Sequence, residues 1–440
     1  MTLPIHRLPA GDFSALARGG GGTRTVGRLA ATRASLTRLC IELLPTLTAR
    51  NGHPDAPAVA DAYRVLAGLE REYPHGVGEV LGHPAVSSWA VGTAERLLGP
   101  RDRAGYPGML GAVAAAAAVR VGAGVEVEVA VPAGGPLVLP SLGSAAVPAG
   151  VARVRVRCAG GGAEVTVPGY PTVRCAVGDR RWHPVPRLEV ERGGMRLAVE
   201  LGDAAWSPWA VHSGNKGLDI DDSHIDVGAW FRRLSAGWNV LVDGHRTVAE
   251  EVARAVTTII PLRRPVAGVV SGTFHNAFGA VAMSLPDEHR LLALTLAHEI
   301  QHTKLSALMD LLPLVRPGGD ERYYAPWRPD PRPLSGLFHG AYAHLGVAGF
   351  WRRQRHRETD PRERYRADVE FSRWTAATYE VTAVLAAQDR LTPPGRRFVA
   401  TMRAVLDRWR REPVPADAAR TAGHLLREHR PETGDDQLPV

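Results

Sequence analysis

The sequence predicts an α+β protein, mainly helical, with a small antiparallel β unit between an amino-terminal helical part and a carboxy-terminal helical, metal-binding part. Three observations carry that expectation. Apolar residues recur at helical spacing through 29–47 and 58–73. Strict alternation then takes over at Val125-Glu126-Val127-Glu128-Val129. From 227 onward helical spacing returns and holds to about 429. The chain is therefore expected to divide into a helical region at 1–120, a β unit at 121–204 and a helical catalytic region at 205–440.

In the first region, His83-Pro84-x-Val86-x-x-Trp89 reads as a turn entering a helix, with proline in its first turn. His83 is there a structural histidine rather than a ligand. In the β unit, Val165-x-Val167 and Leu197-x-Val199-x-Leu201 continue the alternation between Gly and Pro punctuation, and no catalytic cluster stands out. This unit is a packing wall or a platform for substrate. Residues 205–226 hold Trp206, Trp209, His212, Asp219, Asp221, Asp222, His224 and Asp226, but their spacing does not fit a calcium loop. They read as a solvated connection. A helix is expected over 227–260, broken near Asp243-Gly244 and closed by Pro261.

The most informative stretch is 284–314. It contains His298-Glu299-x-x-His302, two histidines four residues apart in an apolar-periodic segment. On a helix they share one face, one turn apart, where they can grip a single ion. Ser284 is the expected N-cap, with Asp287 as its capping-box partner and Pro286 in the first turn; 278–283 reads as a strand feeding the helix. Arg316-Pro317-Gly318-Gly319 stops it. The proline-rich 323–334 cannot be helical and reads as an extended loop that presents arginines to an anionic ligand. Helices follow at 337–351, 365–387, 395–409 and 416–429, with 352–366 a solvated turn and 431–436 a disordered tail.

Composition narrows the classes further. The 440 residues are 45% hydrophobic and 22% charged, as in a soluble globular protein. The net charge of +8 is almost all arginine, since Lys216 and Lys304 are the only lysines. No basic stripe interleaved with aromatics argues for nucleic acid. Cys40, Cys158 and Cys175 have neither disulfide-framework nor metal spacing. The start lacks the pattern of a signal peptide, and the apolar run at 109–119 is too short for a bilayer. A cytoplasmic location without membrane contact is expected.

Two helical histidines need a further protein ligand. Zinc peptidolysis, with Glu299 as general base on metal-bound water, is the commonest chemistry of this motif. A third histidine farther along the same helix is absent, for Leu305 and Leu308 stand there. Glu321 lies in the proline-rich loop, while Glu370 and Glu380 are far downstream. His339, beside Gly340, is the better-placed third donor; His344, five residues on, is expected on a different face. Such a set with open positions suits non-haem iron as well as zinc.

The combination of HE-x-QH-x-KL at 298–305, PWR-x-DPRPL at 326–334 and L-x-HG-x-Y-x-H at 337–344 resembles the HExxH-motif peptide-modification proteins of ribosomal peptide pathways. The likeness covers about 273–351 well and the amino-terminal half only loosely. It implies an iron- and 2-oxoglutarate-dependent hydroxylase acting on a side-chain β-carbon of a ribosomally synthesised precursor peptide, often beside a radical SAM maturase. By position, His298, His302 and His339 would hold Fe(II), and Arg328 and Arg332 would pair with 2-oxoglutarate. Glu299 would then orient a ligand or water, and Lys304 and Tyr342 would line the pocket, with Tyr342 equally readable as core. The Asp-rich element that the family carries after its last β run reads Gly202-Asp203-Ala204-Ala205-Trp206-Ser207-Pro208 here. A zinc peptidase and a non-catalytic peptide-recognition protein are the alternatives.

Overall fold

The first hundred or so residues fold as helices: α1 (Ala10–Ala17), α2 (Gly22–Arg50), α3 (Ala56–Glu72), α4 (Pro74–Leu81), α5 (Pro84–Leu98) and, after a short gap, α6 (Leu110–Val121). The computed structural model describes residues 5–99, 106–132, 135–176, 178–202, 219–221, 225–266 and 268–429. The start of α5 illustrates the local logic. Pro84 supplies a preset φ at the first helical position, and His83 Nδ1 accepts the Ala85 N–H at 3.2 Å. That acceptor role fixes the proton on Nε2, which meets the Glu200 carboxylate at 3.0 Å. His83 is thus a buried structural residue with both nitrogens engaged.

Alternating residues then build β1 (Val125–Ala130), β2 (Leu137–Leu139), β3 (Gly143–Ala145), β4 (Arg153–Ala159), β5 (Gly162–Thr166), β6 (Val173–Arg174) and β7 (Trp182–Pro184). They form two small antiparallel sheets, ordered β1-β4-β5-β6 and β2-β3-β7. The α6 helix, apolar and half alanine, lies buried beneath them. The fold is α+β and mainly helical, as the periodicities require.

A third sheet crosses the chain. The hairpin of β8 (Arg187–Arg192) and β9 (Met195–Leu201) is followed, after α7 (Val227–Gly244) and α8 (Arg246–Ala255), by β10 (Thr258–Leu262), β11 (Ser271–Thr273) and β12 (Ala280–Ser284). Their order is β11-β12-β10-β9-β8, with β10 parallel to both β9 and β12. The expected helix therefore ends at Ala255, and 258–260 is strand. The reason is burial: every residue of β10 and β12 is buried, as in a parallel strand covered on both faces. Ile259, Val281 and Met283 face a core shared with Trp230, Trp238 and Leu296, whereas Ile260, Ala280 and Ala282 face the opposite core, shared with Trp89. A two-residue period thus separates two apolar cores.

The helix carrying the histidine pair, α9 (His289–Leu311), starts later than the cap pattern indicates. Ser284 is the last residue of β12, and its Oγ accepts the Val270 N–H at 3.1 Å; Glu288 stands at the N-cap without a side-chain bond. Pairing of Leu262 with Ser284 keeps the chain extended past the expected boundary. The proline-rich segment is extended, as expected, but paired as a hairpin, β13 (Arg322–Ala325) and β14 (Arg328–Pro333), rather than left as a loop. Then come α10 (Leu334–Gln354), α11 (Pro361–Ala386), α12 (Pro393–Trp409) and α13 (Ala416–His429). The turn between α10 and α11 is not wholly solvated: Arg355 is buried and binds Asp368 at 2.7 Å. Of the acidic connection, Asp226 caps α7 by accepting the Ala229 N–H, and Asp219 pairs with Arg263. Trp206, Trp209, His212, Asp222 and His224, with Asp203 and the tail, lie outside the described residues. No helix among the described residues is long and apolar enough to cross a membrane.

Candidate metal centre

The α9 helix presents three different faces to three neighbours. His298 and His302, one turn apart, point the same way, and their Nε2 atoms approach to 3.1 Å. Two nitrogens that share one ion at about 2.1 Å lie about 3.0 Å apart at a right angle and about 3.4 Å apart at a tetrahedral angle. The observed separation falls between these limits. It also suits a hydrogen bond between two neutral imidazoles. Burial lowers the pKa of His298 to about 4, and that of His302 well below the usual range, where its histidine neighbours add to the effect. Both rings are therefore neutral near pH 7, as metal ligands must be. His298 keeps 24% of its side chain exposed, so the pair borders solvent-reachable space.

Glu299, rotated to the next face, is almost fully buried. Its Oε1 accepts the Ser271 hydroxyl at 2.7 Å and lies 3.9 Å from His298 Nε2. Its Oε2 has no partner among the described residues. Burial raises this carboxyl to about 7 against the opposing Ser271 bond.

The third face binds the amino terminus. Lys304 Nζ donates to Gly19 O, Gly20 O and Glu251 Oε2, the last at 2.6 Å, and Gln301 Nε2 donates to Gly19 O. The structure corrects one expectation here. Lys304 is fully buried in a pair with Glu251 and does not line a pocket, while Tyr342 takes the core alternative, its hydroxyl donating to Leu16 O.

The α10 helix supplies the flanking rings. His339 stacks beside His302 with centroids 5.8 Å apart, and His344 meets His298 edge-on at 5.2 Å. His344 therefore does not face away. The five-residue step forward along α10 matches the four-residue step back along α9, so each histidine flanks one member of the pair. His344 Nδ1 donates to Gly340 O at 2.9 Å; a carbonyl only accepts, so the proton sits on Nδ1 and Nε2 keeps its lone pair. Among the described residues no three His, Cys, Asp or Glu side chains gather at metal-binding distances. The residues fit an ion to this extent: a converged pair, plus His339 and His344 as the adjacent donors.

Sequence reading missed the aromatic walls. Trp327, at the turn of the β13–β14 hairpin, stacks on His344 at 4.3 Å, and Trp374 of α11 packs against the same ring at 4.8 Å. Gly340 makes room, since a Cβ there would lie 2.5 Å from the Trp327 ring. We expect Gly340→Ala to displace the indole at a cost of about 1–3 kcal/mol, read as a changed near-ultraviolet circular dichroism spectrum and a lower unfolding midpoint. An unchanged spectrum would place Trp327 elsewhere.

Arg328 and Arg332 do not join the histidines. Both are partly exposed on β14 and are engaged by Asp330, at 2.6 and 3.3 Å. The prolines keep this segment extended, but the hairpin turns tryptophan, not arginine, toward the histidines. The cation beside the site is Arg373. It lies over the Trp374 ring at 4.5 Å, its charge lowers the pKa of His344, and its buried Nε has no partner among the described residues. In comparisons with known proteins, the chain matches no family model and no curated protein.

Proposed function

We propose that this chain is a metalloenzyme whose ion is held by His298 and His302, with His339 or His344 completing the set. Support comes above all from the convergence of two neutral Nε2 atoms on a partly exposed face. More particularly, we read it as a non-haem iron, 2-oxoglutarate-dependent hydroxylase of a side-chain β-carbon in a ribosomal precursor peptide. When bound, iron and 2-oxoglutarate supply the oxidation of a C–H bond by dioxygen. The chain's own residues do the rest. The Gly340 carbonyl holds the His344 tautomer with its lone pair free. Trp327 and Trp374 exclude water on one side of the histidines. Glu299, fixed by Ser271, offers its unpartnered oxygen to a water or a ligand N–H. Arg373 replaces Arg328 and Arg332 as the cation for the far carboxylate of 2-oxoglutarate, which a guanidinium binds bidentately.

Protein purified without oxygen should carry iron and form succinate from 2-oxoglutarate when given the peptide. Arg373→Gln should weaken 2-oxoglutarate binding by at least about tenfold with unchanged metal content, whereas Arg332→Gln should change it little. A larger effect at Arg332 would return the role to the hairpin. One observation favours a second reading. Glu299 beside His298 is also placed as general base of a zinc peptidase, and bound zinc with peptide cleavage would establish that instead.

A further inference from the structure

A second polar site lies away from the histidines, in a cavity of about 220 Å³ between α2, α5 and α8. Its polar lining comprises Arg33, Thr37, Ser87, Arg254 and Thr257, with Phe278 among the apolar part and no aspartate or glutamate. Thr37 Oγ1 and Ser87 Oγ already bond each other at 3.0 Å. Arg33 is only 3% exposed. One end of its guanidinium pairs with Asp310, outside the lining, and Nη2 donates to Asn276 Oδ1 at 3.3 Å. Its buried Nε–H has no acceptor among the described residues. Arg254 fills the space over Gly27, and no ion pair to a carboxylate is formed by it among the described residues. The cavity thus combines one orphaned, buried donor with one unneutralised cation, and a bare buried donor is costly unless something occupies it.

We propose that this cavity receives a carboxylate of an acidic peptide substrate, bound by Arg33 Nε and Arg254. The assignment rests on the reading that the protein acts on a peptide. Position argues for the peptide over the cosubstrate. Arg33 is anchored at Asp310, eight residues beyond His302, which is about 12 Å along the helix. A small dicarboxylate chelating the ion does not reach that far, whereas about four residues of extended chain do. An acidic residue some four positions from the reacting one would thus dock here.

The test uses the full-length, metal-free protein at low salt. The probes are two fluorescein-labelled decapeptides of Gly, Ala and Ser that differ only in one central Glu or Gln. Fluorescence anisotropy should show the Glu peptide binding roughly tenfold tighter, as a charge-assisted bond to a buried donor implies. Arg254→Gln should erase that preference, and Arg33→Lys, which keeps the Asp310 pair, should reduce it. Arg420→Gln, an exposed change of equal charge on α13, should leave it intact. If both peptides bind alike, or Arg420→Gln removes the preference as fully as Arg254→Gln, the proposal is overturned. Should Arg33→Lys fail to fold, Arg254→Gln decides alone. Because no metal is present, this result stands apart from the oxygenase reading, which absent iron or absent succinate would overturn on its own.

Discussion

Lys304→Met should destabilise the protein by roughly 3–5 kcal/mol, the loss typical of breaking a buried ion pair from one side. The ammonium is fully buried, Glu251 is 1% exposed, and the same Nζ also serves the carbonyls of Gly19 and Gly20. Burial lowers the Lys304 pKa while the Glu251 carboxylate opposes that shift. Removing the lysine strands a buried carboxylate that, among the described residues, keeps only the Gly22 N–H at 3.0 Å. Lys304→Met combined with Glu251→Met should recover much of the loss, because both desolvated charges then disappear together. Urea unfolding of the two variants beside the parent checks this. A single-variant loss below about 1 kcal/mol would show that the pair is not buried in solution.

His302→Ala is expected to weaken metal binding by more than about a hundredfold, beyond what the loss of a supporting residue around a ligand costs. The readout is stability as well as activity. An ion at a hundred times its dissociation constant stabilises the native state by about 2.7 kcal/mol, and this increment should vanish in the variant. Without metal, His302→Ala should be about as stable as the parent, because it removes one of two crowded imidazoles on a partly exposed face. If Fe(II) or Zn(II) raises the melting temperature of parent and variant equally, the ion sits elsewhere and the proposed enzyme falls with it.

Much of the arrangement was legible in the residues, for reasons that differ by element. The spacing of His298 and His302 determined their shared face because helical geometry alone places them. Helices at 395–409 and 416–429 were readable because their amphipathic period is undisturbed. The strand at 258–262 was not, since a run apolar on both faces carries no period to separate it from a buried helix. Ser284 failed as a cap because a strand partner 22 sequence positions earlier, at Leu262, keeps it extended, and capping rules are blind to such pairing. His344 was misjudged because its relation to His298 depends on how two helices pass each other. Arg373 carried no local signal at all. What distinguishes it is its place over Trp374 and beside His344, which only the folded chain reveals.

The crossing sheet bears on how this chain can be handled. Its inner strand, β10, takes hydrogen bonds from β9 on one side and β12 on the other, so hydrogen-bonded neighbours come from both sides of residue 204. Expressed as separate pieces cut there, each half would carry a raw strand margin, ready to zip onto any other copy. Co-expression of the two pieces, by contrast, should yield a complemented, soluble pair.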